Sequence, residues 1–237
     1  MPPNPVRASA RSSISWDSGP AFEDTSTLVL TIHSYSLDLR VFEIPDSVKG
    51  SVDWATVARV QEQPDSTAEK PILKWSHIID SRPPPKAEAL PDVGTFTILD
   101  ETHVAEEGIM YNPKTGANQS YVEVWERFPG AVDQDFVVLE TLDGTGFLGR
   151  VGARALGLRR SYQGHLTAWR AEKPREDDTR WNILFHQVEG GLDLPLLPAE
   201  SPIALGWKLG DSISLGGLEF IVKVVGGSGE PSLSLSK

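Results

Sequence analysis

Short segments of β-branched and alternating residues recur along the chain, with turn-forming residues between them. The clearest is Tyr35–Phe42, where apolar residues occupy every second position. A period of two places successive side chains on opposite faces of a strand, so this pattern indicates a strand with one buried face. Asp143-Gly144 is a strong hairpin signal, because glycine readily adopts the positive φ of tight hairpin turns. Short strands at near-regular spacing predict an all-β protein, a sandwich or a barrel, with little helix.

The strand pattern divides near Pro129 and Gly130. Each half contains enough predicted strands for a small antiparallel barrel, so the predicted units are residues 14–128 and 135–226. Residues 1–13 are predicted to form a disordered tail. The best helix candidate is residues 149–160, although each of its internal glycines disfavours a helix by about 1 kcal/mol relative to alanine.

Charge and composition exclude several classes of protein. The 237 residues carry 22 lysines and arginines against 33 aspartates and glutamates, a formal net charge of −11, which argues against a nucleic-acid partner. No run of about 18 apolar residues occurs, so no membrane-spanning helix is predicted. The chain contains no cysteine, which excludes disulfides, cysteine nucleophiles and thiolate-ligated metals. The N-terminal residues lack the apolar core of a secretion signal, so a cytoplasmic location is expected.

Two patterns could indicate a cofactor or a metal, and each has a simpler interpretation. Residues 144–149 have the G-x-G-x-x-G spacing of dinucleotide sites. Those sites lie between a strand and a helix, whereas this segment lies among predicted hairpins, so a hairpin turn is the favoured interpretation. No two of the five histidines are two or four residues apart, and structural hydrogen bonding is favoured over metal ligation for each. We therefore predict no cofactor and no metal.

Seven tryptophans are the most unusual feature of the composition. Tryptophan often fills protein cores, and that interpretation must hold for several of them. The alternative is a ligand cavity, because a small antiparallel barrel can enclose one ligand against flat aromatic rings. The cavity interpretation selects six aromatic residues as candidate substrate-binding residues: Trp54, Trp75, Tyr121, Trp125, Tyr162 and Trp169.

Several short motifs of the chain also occur together in one protein family. They include residues 23–31, Lys74-Trp75-Ser76-His77, residues 112–116, residues 121–125 and residues 150–152. In these motifs the chain resembles the fungal Hri family, named for interaction with a yeast casein-kinase homologue. The resemblance spans most of residues 14–170 and implies two consecutive lipocalin-like antiparallel β-barrels and a possible protein partner. It brings no established catalytic residue.

Two functions of different classes fit these observations. The first is a cofactor-independent cyclase or isomerase, of the pericyclase or hetero-Diels–Alderase type, acting on an apolar terpenoid or polyketide intermediate in an aromatic-lined barrel. Holding reacting groups in a near-attack geometry can contribute about 7–11 kcal/mol without a nucleophile or a metal. The second is a non-catalytic ligand-binding or protein-interaction module of the Hri type.

A cyclase of this kind would need donors for a carbonyl whose negative charge grows in the transition state. Arg40, His77 and His165 are the candidate catalytic residues, and Arg150 is a further candidate for substrate binding. These residues are divided between the two predicted barrels, and the sequence leaves open which barrel contains the site.

Overall fold

The computed structural model describes residues 6–43, 51–129, 134–175 and 178–227. All the regular secondary structure in these ranges is β-strand, which confirms the predicted all-β class. Within the same ranges, no helix has the length and apolar character needed to cross a membrane. The strands are β1 (Val6–Trp16), β2 (Thr25–Ile32), β3 (Tyr35–Phe42), β4 (Val52–Glu62), β5 (Ile72–Asp80), β6 (Asp92–Ile98), β7 (His103–Asn112), β8 (Ala117–Arg127), β9 (Phe136–Thr141), β10 (Gly146–Val151), β11 (Arg154–Arg160), β12 (Leu166–Glu172), β13 (Asn182–Gln187), β14 (Ser212–Leu215) and β15 (Leu218–Gly226).

Strands β1–β8 form a closed antiparallel barrel, in which each strand pairs with the next and β8 pairs with β1. The connection between β2 and β3 is only two residues long, and His33 adopts a φ of 54° there. Residues 112–116 form the turn that links β7 to β8, with Gly116 at a φ of 69°. Short turns of this kind hold neighbouring strands in antiparallel register.

The apolar face of β3 lies on the outside of this barrel. Leu37 and Leu39 are fully buried in a core that also contains Phe147 and Leu158 of the second unit. The alternation predicted for Tyr35–Phe42 is therefore confirmed, and its apolar face is covered by the second unit. The polar residues Ser36, Asp38 and Arg40 alternate with these leucines, so they lie on the opposite face of β3 and point into the barrel.

Strands β9–β15 form a seven-stranded antiparallel sheet in the order β13-β12-β11-β10-β9-β15-β14, consistent with the predicted second barrel. This sheet packs closely on the first barrel. A Cβ on Gly149 would lie 2.9 Å from a methyl carbon of Leu37, so the backbone of β10 contacts β3 directly. The rings of His33 and Phe136 also meet across the interface, with their centroids 5.3 Å apart.

Residues 144–149 form part of the β9–β10 hairpin. Gly144 occupies the turn with a φ of 69°, and the residues after it pair with β9. The favoured hairpin interpretation of the G-x-G-x-x-G spacing is therefore confirmed.

Two other predictions are wrong. The expected tail over residues 1–13 is wrong for residues 6–13, because β1 begins at Val6 and Ala8 is only 1% exposed. Polar residues of β1 such as Ser9 face the polar lumen, so the strand lacks the apolar face that hydropathy detects. The helix candidate at 149–160 is instead the hairpin of β10 and β11, with Gly152 at a φ of 54° in its turn.

Gly157 of β11 lies opposite Trp169 of β12, and a Cβ at this position would overlap the indole ring. The ring is fully buried, and a close-packed core cannot yield without cost. We expect Gly157→Ala to lower the free energy of unfolding by about 1–3 kcal/mol, measured by urea denaturation. In a Trp169→Phe background the smaller ring leaves room, so the same substitution should cost less. Equal costs in the two backgrounds would contradict this packing.

Candidate functional site

Charged side chains from four strands converge in the lumen of the first barrel. They are Arg11 of β1, Asp38 and Arg40 of β3, Glu106 of β7 and Glu123 of β8, and all five are buried. Ions are rarely buried without partners, because removing a charge from water is costly. The hydrogen bonds that compensate these charges define the site.

Glu123 is the centre of the ionic network. Its Oε1 accepts hydrogen bonds from Nη1 of Arg11 at 2.5 Å and from Nη1 of Arg40 at 2.7 Å. Arg11 also donates to Glu23, and Arg40 also donates to Oδ2 of Asp38. Burial alone would raise the pKa of Glu123, but the adjacent guanidinium groups of Arg40 and Arg11 lower it overall. Glu123 is therefore a buried carboxylate shared by two cations.

Glu106 lies in the same lumen and accepts hydrogen bonds from two neutral donors. Its Oε1 accepts a hydrogen bond from Oη of Tyr121 at 2.8 Å, and its Oε2 accepts one from Nε1 of Trp125 at 2.9 Å. Burial, followed by the negative charge of Glu123, raises the pKa of Glu106 to about 8. The group is therefore mainly a neutral carboxylic acid at pH 7.

His77 lies at the mouth of the lumen, between two carboxylates. Its Nδ1 is 2.9 Å from Oδ2 of Asp80, and its Nε2 is 2.8 Å from Oδ2 of Asp92. Burial alone would lower the pKa of His77, but the hydrogen bonds and charges of Asp80 and Asp92 raise it to about 9. Asp80 also accepts a hydrogen bond from Nε1 of Trp54 at 2.7 Å, so the cationic imidazole and this indole are held together.

Two adjoining cavities lie in the lumen of the first barrel and at its mouth. The inner cavity, about 70 Å³, lies in the lumen among the buried charges. The outer cavity, about 410 Å³, lies at the mouth, where the proline-rich residues 82–91 form part of its wall. Trp54, Trp75 and His77 line both. Small-molecule sites typically occupy about 300–1,000 Å³, so the outer cavity is large enough for a ligand.

Six of the ten candidate residues from the sequence line these cavities, and the structure thus brings them together. They are Arg40, Trp54, Trp75, His77, Tyr121 and Trp125. The guanidinium of Arg40 lies over two of the rings, 4.8 Å from the centroid of Trp54 and 5.5 Å from that of Trp125. Such cation–π contacts hold the rings and the cation in fixed positions.

The other four candidates lie in the second unit, away from both cavities. Arg150 is buried and donates to the carbonyls of Gly152 and Glu200. Trp169 packs in the core of the second sheet. Tyr162 is 89% exposed, and His165 lies exposed just before β12. The structure does not bring these four into the site of the first barrel.

Sequence reasoning missed Arg11, Asp38, Glu106 and Glu123. Part of the signal was present, because Asp38 lies between Leu37 and Leu39 and Glu123 lies between Val122 and Val124. This alternation places each carboxylate on the face opposite to the apolar one, but it does not show that this face points into the barrel. Across the described part of the chain, no group of three or more histidine, aspartate or glutamate side chains is placed to hold a metal ion.

The family model described as "Protein HRI1" matches residues 7–223 of the sequence. The chain belongs to the HRI1 family. The fold is similar to a solved structure titled as that of the uncharacterized protein YLR301w from Saccharomyces cerevisiae, with a TM-score of 0.75 and 16% sequence identity. That similarity covers 93% of this HRI1-family chain and 99% of the other, and at this identity it shows the fold alone. No curated protein matches the sequence.

Proposed function

We propose that the first barrel binds a small molecule, with a flat apolar part in the outer cavity and a polar end in the inner cavity. The observation that carries this proposal is the contrast between the residues that line only one of the two adjoining cavities. Leu90 and Ile109 line only the outer cavity, whereas Asp38 and Glu106 line only the inner one. A site of this kind takes an amphipathic molecule, because apolar walls supply affinity and a few polar groups fix orientation.

The buried charges argue for a ligand with a polar end. An apolar group pushed against Asp38, Arg40 or Glu106 would remove residual water without replacing its hydrogen bonds. The apolar terpenoid or polyketide intermediate expected from the sequence would therefore need a hydroxyl, carbonyl or similar group. The expected ligand is therefore an amphipathic molecule, not a wholly apolar one.

A cofactor-independent cyclase or isomerase is the more specific proposal, and one observation favours it. The carboxyl group of Glu106 has a pKa of about 8 and lines the inner cavity. A general acid works best when its pKa lies near the working pH, and Arg40 supplies a cation that could stabilise a developing oxyanion. Replacing Glu106 with glutamine should then abolish turnover of a bound substrate while retaining its binding. The non-catalytic module, a protein partner and a cytoplasmic location stay predictions.

Binding is tested first with a neutral probe, 2-(2-naphthyl)ethanol, by isothermal titration calorimetry. We expect Trp75→Ala to weaken its affinity at least tenfold, about 1.4 kcal/mol, because the indole forms the wall shared by both cavities. The matched control is Trp207→Ala, because Trp207 is a half-buried tryptophan of the second unit. Equal losses in the two variants would place the probe elsewhere, and no binding to the wild-type chain would contradict the proposal.

A further inference from the structure

The inner cavity contains one buried acceptor that has no hydrogen-bond partner among the described residues. Asp38 is only 8% exposed. Its Oδ2 accepts a hydrogen bond from Nε of Arg40 at 2.9 Å, and Nη2 of Arg40 lies 2.8 Å from the same oxygen. Its Oδ1 is buried and accepts no hydrogen bond within the described ranges. Buried carboxylate oxygens nearly always have a partner, so an unfilled one at a cavity wall requires an explanation.

The neighbouring acceptors are already engaged. Oε1 of Glu123 receives Arg11 and Arg40, and the two oxygens of Glu106 receive Tyr121 and Trp125. Asp38 lines the inner cavity, and that cavity adjoins the aromatic walls of the outer one. The residue with the unpaired oxygen therefore lines the cavity in which the proposed ligand would put its polar end.

The groups that line the inner cavity decide what kind of ligand end fits. Asp38 and Glu123 carry negative charge there, and Arg7, Arg40 and His77 carry positive charge. A carboxylate or phosphate end offers only acceptors, so it leaves Oδ1 of Asp38 unsatisfied. An ether or ketone end offers only acceptors, which leaves Oδ1 of Asp38 unsatisfied. A hydroxyl or an ammonium group supplies the missing donor.

We propose that the ligand of the first barrel ends in a hydrogen-bond donor, a hydroxyl or a protonated amine, which Oδ1 of Asp38 accepts. This inference rests on the proposed function and adds the chemistry of the ligand's polar end. It makes Asp38 a specificity-determining residue. Sites built to bond a hydroxyl discriminate strongly against analogues that lack it, because their own polar group is left unpaired.

The test compares matched ligands by calorimetry. We expect 2-(2-naphthyl)ethanol to bind about tenfold more tightly than its methyl ether, which keeps the oxygen but lacks the donor. The amine 2-(2-naphthyl)ethylamine distinguishes the two donor classes: a tighter amine indicates an ammonium ligand, and a tighter alcohol indicates a hydroxyl ligand. The carboxylate 3-(2-naphthyl)propionate also lacks the donor and should bind more weakly than the alcohol, and its binding most tightly of the four would overturn the inference.

The variant Asp38→Asn has nearly the same shape but replaces an acceptor oxygen with a donor N–H. Its amide oxygen can keep the bonds from Arg40, which turns the amide N–H towards the cavity as a donor. The ether should then bind at least as tightly as the alcohol. The control is Asp53→Asn, because Asp53 pairs with Arg82 and does not line the inner cavity. This control should retain the wild-type preference.

The outcomes separate the inference from the function on which it rests. Equal affinities of alcohol and ether for the wild-type chain, with binding still dependent on Trp75, would overturn the donor chemistry and leave the binding site intact. Absence of binding by all four ligands would overturn both. The wild-type comparison decides the matter even if Asp38→Asn fails to fold.

Discussion

Replacing Glu123 with glutamine should lower the free energy of unfolding by about 3–5 kcal/mol. The carboxylate is 2% exposed, and one of its oxygens contacts both Arg11 and Arg40. Without its charge, the two guanidinium groups lose the anion that lies between them, while both remain buried. Removing one partner from a buried ion network is costly for this reason. Urea denaturation at pH 7, with the midpoint and slope compared between variants, measures the loss.

The control for this prediction is an ion pair on the surface. Lys114 lies 3.3 Å from Asp24, with 66% of its side chain exposed. Lys114→Gln should cost less than about 1 kcal/mol, because water screens exposed charges. If Glu123→Gln costs no more than Lys114→Gln, the lumen is effectively hydrated and the network is not the stabilising feature inferred here.

The hairpins could be predicted because their causes are local. The bounds of β3 match the predicted strand Tyr35–Phe42, and the hairpin of β9 and β10 follows the Asp143-Gly144 signal. Alternation and turn residues act within a few positions, so one sequence carries enough information for them. β1 was missed because its inward side chains are polar, a property that depends on the lumen it faces.

The ionic site could not be predicted in the same way. Alternation shows that Leu37 and Leu39 share one face of β3 and that Asp38 and Arg40 share the other. It does not show which face points into the barrel. The second unit decides this by covering the leucines, and Arg40 then meets Glu123 across 83 positions of sequence. Contacts at such separations follow from barrel closure and from the packing of the two units.

The same reasoning explains why the predicted site residues divided between two units. Arg40, His77 and Trp125 come from β3, β5 and β8, which barrel closure places around one lumen. Arg150 has similar chemistry, but backbone carbonyls near Gly152 and Glu200 receive its donors. Residue type alone cannot distinguish an arginine that lines a cavity from one that fixes a loop.

The wild-type chain should lose stability as the pH rises from about 5 to 8, and Glu106 should cause much of this loss. The folded-state pKa of Glu106 is about 8, well above its ordinary value of 4.5. Between these values the folded chain holds a proton that the unfolded chain releases, so the free energy of unfolding falls with rising pH. One such proton contributes at most about 1.4 kcal/mol per pH unit. Glu106→Gln should remove this contribution.

His77 titrates at a higher pH, so its effect on stability can be separated from that of Glu106. His77, with a folded-state pKa of about 9 against an ordinary 6.5, contributes a loss of stability only above about pH 6.5. Urea denaturation at pH 5.0, 6.5 and 8.0 therefore resolves the two groups. Between pH 5.0 and 6.5 the wild-type chain should lose about 2 kcal/mol relative to Glu106→Gln, while His77→Gln follows the wild type. Parallel curves for wild type and Glu106→Gln in that interval would mean that Glu106 is ionised in the folded barrel, and a carboxylate at this position could not act as the acid proposed above.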